Sequence, residues 1–285
     1  MTHELLDRLA GIAERFHADR AQRQLRRQLN PADFAQIRDA GYLNVAVPGR
    51  DGGFWRSGRE STRLICEALR TLAHGDSSVA LVSAMHPAVL SYWLAAPEEA
   101  WQCEAFAKQT NEIIAGVKAG DWWGTITSEP GSGGDVMKTR AVAKLTGELN
   151  QYLLTGDKHF GSGSGVLRFM VTTARVAGED SPDWFYLDMQ DVPWDGSQGA
   201  TLLAEWDGQG MTATQSHSLR FESFPATRIA WEGHLADIAT TSGPLIGCMF
   251  TAVIVGIVEA AMAFARENFS PENAGAFEAV EWQRA

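Results

Sequence analysis

The chain has 285 residues, 24 Lys+Arg against 35 Asp+Glu and a net charge of -11, a balance that repels a phosphate backbone and excludes nucleic acid as the expected partner. Its 45% hydrophobic and 21% charged content excludes a disordered chain, and at roughly 150 residues per domain the length allows two domains. Cys66, Cys103 and Cys248 are too widely spaced for a disulfide framework or a zinc site, so a reducing compartment and a cytoplasmic protein are expected.

The first 120 residues read as helices. Leu5, Leu6, Leu9, Ile12, Ala13 and Phe16 recur at three- and four-residue spacing, the stripe that an amphipathic helix turns to a core. Asn30-Pro31 starts a second helix that stops at Gly41, because Asn caps free amides and Pro fits the first turn. Residues 45–48 and Gly52-Gly53 form a turn-rich break, after which helices are expected from Ser57, over 77–93 and over 97–115. From about Asp121 the pattern becomes short and β-rich, at 123–127, 139–145, 152–155, 169–175 and 184–188, which predicts a mainly antiparallel sheet region ending near Trp231. Helix returns past Asp237, over 244–264 and 278–285. The apolar run 245–258 has 14 residues and is followed by Glu259, so a buried bundle helix is expected rather than a membrane span, which needs about 20. The last helix ends without a capping Gly or Pro, so a truncated bundle is expected.

The stretch Thr125-Ile126-Thr127-Ser128-Glu129-Pro130-Gly131-Ser132-Gly133-Gly134-Asp135 carries the most chemistry. A strand running into Pro-Gly-Ser-Gly-Gly frees backbone amides to converge on an anion or a heteroaromatic edge, and is equally compatible with a plain strand-to-strand turn. Its spacing fits neither a Walker loop nor a Rossmann GxGxxG. No His, Cys or acidic spacing suggests a metal site.

Residues 128–135 resemble the T-E-P-G-A-G-S-D signature of the acyl-CoA dehydrogenase superfamily, matching at Glu129, Pro130, Gly131, Gly133 and Asp135. Four further segments agree in order. They are Asp39-Ala40-Gly41-Tyr42 with Val47-Pro48 and Gly52-Gly53; Gly156-Asp157-Lys158-His159-Phe160-Gly161-Ser162-Gly163; Gly210-Met211 through Ser216 to Leu219-Arg220-Phe221; and Arg266 with Phe269. The resemblance covers the whole chain and implies an α+β multidomain fold. An N-terminal helical domain would span 1–120, a middle β-barrel domain 121–232, and the start of an incomplete C-terminal helical bundle 233–285.

The resemblance also implies a flavin, FAD or alternatively FMN, between barrel and bundle. Thr125, Thr127 and Ser128 would meet its pyrimidine edge, and Gly133 and Gly134 would lie near a pyrophosphate. Phe160 would stack on the ring system, and Ser162 would hydrogen-bond near N5. Arg266 would reach the pyrophosphate of a neighbouring subunit's flavin, where a guanidinium fork suits phosphate; its alternative is a solvated helix-end charge. Glu129 is expected to hold the loop. His86, on the helix expected near the family's substrate cavity, is either a satisfied core histidine or an acid or base. The resemblance gives the family's catalytic Glu two places, a late loop expected to lie beyond Ala285 and an early position that falls here at about Ile246-Gly247, which has no carboxylate.

Gly134 stands where the signature has Ser, and Gly161 and Gly163 leave the second flavin segment bare. That segment also resembles the "HFxSG" of flavin monooxygenases sharing this fold. Three functions are therefore expected in order: α,β-dehydrogenation of an acyl thioester with hydride transfer to FAD; an FMN-dependent two-component monooxygenase; and a non-catalytic binding module. A homo-oligomer and an electron-transfer partner are further expectations of the resemblance.

Overall fold

The computed structural model describes residues 2–148 and 150–268, so the helix expected at 278–285 lies outside the described residues. Helix α1 (Thr2–Ala18) buries Leu5, Leu9, Ile12, Ala13 and Phe16, the stripe read from the sequence. A single turn, α2 (Arg20–Arg23), follows without a sequence signal. Helix α3 (Pro31–Asp39) starts where the Ala32 amide donates to the Asn30 side chain at 3.0 Å. Helix α4 (Gly58–Gly75) starts at a Ser57/Glu60 capping pair, and α5 (Ser77–Leu94) where the Val79 amide donates to Asp76 at 3.0 Å. The single helix expected over 97–115 is instead two, α6 (Glu98–Trp101) and α7 (Glu104–Ala119), which ends at Gly120 with φ +111°.

Seven strands follow: β1 (Trp123–Thr125), β2 (Val142–Leu145), β3 (Gln151–Gly161), β4 (Phe169–Val176), β5 (Pro182–Asp188), β6 (Ala200–Ala204) and β7 (His217–Arg228). The pairings β4–β2, β2–β3, β3–β7, β7–β5 and β5–β4 close a five-stranded barrel, with β1 extending along the same edge of β4 as β2 and β6 lying on β7. Most pairs are antiparallel, but β1 and β2 run parallel to β4. Strand β7, where the sequence pattern named no strand, is a wall of the barrel. Ser223, at φ +52°, interrupts its alternation, so the buried set shifts from Leu219 and Phe221 to Phe224 and Ala226.

Aromatic packing joins helices to barrel. Trp123 of β1 stacks on Phe169 with centroids 4.5 Å apart and meets Trp93 of α5 edge-on at 5.4 Å. The segment before β7 is tied to the amino-terminal helices, since Thr212 Oγ1 donates to the Arg26 carbonyl at 2.9 Å and the Leu29 amide donates to Gln215 Oε1 at 2.8 Å.

Helix α8 (Leu235–Asn268) begins well before the expected 244 and carries Pro244 inside it. Leu245, Met249, Val253 and Gly256 are buried on it, while Ile254, Val255, Val258, Met262 and Phe264 are exposed. Its 34 residues contain an 18-residue window of mean hydropathy 2.2 and 28% burial, so by length and composition alone it could cross a membrane. What α8 presents here is one face packed on α4, where Arg70 Nε donates to Glu259 at 2.6 Å.

Candidate functional site

The site begins where β1 runs out. The Ile126 amide donates to the Val171 carbonyl at 2.8 Å, and Thr172 Oγ1 donates to the Ile126 carbonyl at 2.6 Å, which aims the next residues past the rim of β4. The His159 amide then donates to the Ser128 carbonyl at 2.8 Å in a single antiparallel bridge. This bridge brings the 125–128 edge alongside the end of β3.

Below it, Lys158 Nζ donates to Glu129 Oε1 at 2.6 Å and to the Thr173 carbonyl at 2.6 Å, and the Lys158 side chain is fully buried. Glu129 also accepts from Thr139 Oγ1, from the Arg140 amide at 2.7 Å and from the Ala141 amide at 3.2 Å. Burial raises the Glu129 pKa, but the donors from Lys158, Thr139 and Arg140 outweigh it and hold the carboxyl below its ordinary range. Glu129 thus holds the loop. Lys158 is its partner, to which the sequence reading assigned no role although the residue stood inside a quoted motif.

Past Glu129 the chain turns through Gly131, Gly133 and Gly134, with φ of +77°, +63° and +81°, where an L side chain is strained. No atom lies within 4 Å of where a Cβ would stand on any of the three, so the outer face of the loop is open. Buried Ser132 pins it from inside, donating to the Glu129 carbonyl at 3.0 Å and accepting from the Gly134 amide at 3.3 Å.

Between Lys158 and Gly161 the pairing of β3 with β7 slips. The slip turns Phe160 outward at φ +59°, leaving the ring 56% exposed beside Trp206. Gly161 and Gly163, the bare positions of this segment, have a steric reason. A Cβ on Gly161 would stand 2.7 Å from Ile126 Cδ1, and one on Gly163 2.6 Å from Leu167. Ser162 follows, buried, with its Oγ 2.8 Å from Ser216 Oγ, which is itself 2.8 Å from Thr214 Oγ1. Ser216 and Thr214 lie inside the quoted segment 210–216, but the sequence reading assigned them no role, since they approach Ser162 from 52 or more residues away.

Thr125 Oγ1 lies 3.7 Å from Met85 Sδ, whereas the hydroxyls of Thr127 and Ser128, both half-buried, make no hydrogen bond among the described residues. The bridge therefore brings together Thr127, Ser128, Phe160 and Ser162. The loop bearing Gly133 and Gly134 joins them through Glu129 and Lys158.

His86 lies elsewhere in character. It is fully buried in α5, and its Nδ1 accepts from the Trp123 amide at 3.2 Å, which leaves the proton on Nε2. Burial lowers its pKa to about 3. The geometry makes it a fastener between α5 and β1. Arg266 is exposed near the end of α8, where Arg20 of α2 lies 5.1 Å from the Phe264 ring, and it makes no hydrogen bond or ion pair among the described residues. The structure does not bring Arg266 into contact with the other candidate residues of its own chain.

No protein-family model matches the chain. A dibenzothiophene monooxygenase of Rhodococcus erythropolis is 26% identical over 272 residues, covering 90% of this chain and 60% of the relative. FMN-bound TdsC of Paenibacillus sp. A11-2 superposes with a TM-score of 0.72 at 22% identity, over 92% of this chain and 64% of that one. Butyryl-CoA dehydrogenase of Megasphaera elsdenii does so with a TM-score of 0.76 at 19% identity, over 93% and 68%. The fold is thus that of acyl-CoA dehydrogenase superfamily proteins, and the chain spans 60% of the length of its first curated relatives.

Proposed function

We propose that this chain carries the flavin-binding face of an oxidoreductase, and that the reaction is oxygenation of a small aromatic or heterocyclic compound with FMN. The observation that carries the flavin reading is the Ser128–His159 bridge, which sets two unspent hydroxyls, an exposed aromatic and a buried serine side by side. The donor set fits the group. Thr127 and Ser128 have hydroxyls free for polar ring edges, Phe160 offers an apolar face, and the open glycine loop leaves room for phosphate. A bound flavin supplies the hydride, electron and oxygen chemistry; the chain binds, orients and excludes water.

Oxygenation is favoured over α,β-dehydrogenation by the curated relative named above, a dibenzothiophene monooxygenase. Abstraction of an α-proton needs a positioned base. Among the described residues Glu129, the carboxylate of the signature, is spent on Lys158, and residues 246 and 247 are Ile and Gly, so dehydrogenation would draw its base from the family's late loop. Reduced flavin for oxygenation would come from a separate reductase, and Arg266, with no partner among the described residues, would reach the phosphate of a neighbouring subunit's flavin. Dehydrogenation is the second reading, on the strength of the superposition with butyryl-CoA dehydrogenase.

Titrating the protein with FMN and with FAD, then supplying reduced flavin, oxygen and dibenzothiophene or indole, tests the first reading. Flavin binding with substrate-dependent formation of an oxygenated product is the expected result. Bleaching of bound FAD by butyryl-CoA, with no oxygenated product, would replace it by the second reading. A protein that binds neither flavin is a binding module of another kind.

A further inference from the structure

The three hydroxyls of Ser162, Ser216 and Thr214 share two hydrogen bonds, each of 2.8 Å. Three hydroxyl protons serve two bonds, so one proton is left over, and its place sets the direction of the whole chain. Thr214 is 0% exposed and its hydroxyl has no other partner among the described residues. Leaving the spare proton on Thr214 would bury an unsatisfied donor at a cost of about 1–3 kcal/mol, and leaving it on Ser216 would keep Ser162 from donating to any ligand. The arrangement that avoids this has Thr214 donating to Ser216 and Ser216 donating to Ser162. Ser162, at the end of the hydroxyl chain and 7% exposed like Ser216, then keeps the spare proton for a ligand.

We propose that Ser216, backed by Thr214, is a positioning residue that holds Ser162 as an obligatory hydrogen-bond donor, so that the site selects a ligand with an acceptor atom at this point. This rests on the flavin reading above, under which the acceptor is N5 of an oxidised isoalloxazine. The surroundings hold the wire in place. The Gly163 amide donates to the Thr214 carbonyl at 2.8 Å and the Thr214 amide to the Met211 carbonyl at 3.1 Å, while Thr212 and Gln215 fasten the segment to residues 26 and 29. Ser216 is therefore presented to Ser162 by a rigid backbone rather than by a free loop. Removing its hydroxyl leaves Ser162 in place but free to rotate, and so to accept as well as donate.

The probe is a pair of ligands differing at one atom: FMN, whose N5 accepts, and 5-deaza-FMN, which carries C–H there. Dissociation constants for both are measured by fluorescence titration on the wild type, Ser216→Ala and Ser216→Thr. The wild type should prefer FMN by about three- to tenfold, the worth of one neutral hydrogen bond. That preference should weaken by about two- to threefold in Ser216→Ala, where Ser162 can still donate but is no longer oriented, and return in Ser216→Thr. Should Ser216→Ala not fold, Ser216→Cys, of similar size and a weak donor, should show the same loss. A preference unchanged by Ser216→Ala, or absent from the wild type, overturns the proposal and leaves the flavin reading standing. Binding of neither ligand by the wild type overturns both.

Discussion

Lys158 Nζ and Glu129 Oε1 are 2.6 Å apart, with side chains 0% and 3% exposed, and they tie the end of β3 to the start of the glycine loop. Removing one member of a buried pair leaves the other charge uncompensated, at a cost of about 3–5 kcal/mol. Lys158→Met should therefore destabilise the protein by that amount in urea unfolding. The double variant Lys158→Met/Glu129→Gln should lose less than the sum of the two single losses.

The same pair sets a pH dependence. Because the folded carboxyl of Glu129 lies below its ordinary value, its stabilisation is present above the unfolded pKa of about 4.3 and is lost as pH falls through the folded value. Between pH 5 and 3 the wild type should lose more unfolding free energy than Glu129→Gln, whose side chain does not titrate.

Phe160 is exposed and left-handed, and both features are unfavourable for an aromatic residue alone in water. Phe160→Gly should preserve the unfolding free energy or raise it by up to about 1 kcal/mol of relieved strain. It should weaken FMN binding by about tenfold or more, since a stacked ring is worth about 1–3 kcal/mol. Calorimetry and a flavin titration on the same sample read the two opposed effects.

His86 should remain neutral across the working range, because burial lowers its pKa to about 3. Its imidazole resonances should not titrate between pH 8 and about 4.5, and no limb of an activity profile in that range should vanish in His86→Asn. The sign for stability follows: the folded pKa is depressed, so the contribution is full above the unfolded value of about 6.5 and is lost as pH falls from there toward about 3. A titration midpoint near 6.5 would refute this placement.

Gly256 of α8 packs on α4 so closely that an added Cβ would overlap the Arg70 carbonyl and stand 2.8 Å from Ala73 Cβ. Gly247, nine residues earlier on the same helix, has no atom within 4 Å of that position. Gly256→Ala should destabilise by about 1–3 kcal/mol, whereas Gly247→Ala should be neutral or stabilising through helix propensity. Equal effects on urea midpoints would mean that α8 is not seated on α4 in this way.

The amino-terminal helices and the glycine loop were legible in the chain itself, because their causes are local. A three- and four-residue stripe at Leu5, Leu9 and Ile12, a cap at Asn30, and positive φ at Gly131, Gly133 and Gly134 each depend on a few neighbouring residues. Long-range pairing was not legible. β7 hides behind the Ser223 irregularity, and the parallel registers of β1 and β2 on β4 are chosen only when the barrel closes. The same holds for the site: Lys158 and Ser216 act through Glu129 and Ser162, 29 and 54 residues away. A sequence records which side chains can donate or accept, but the direction of a hydrogen bond between buried groups depends on what else lies within reach, and folding decides that.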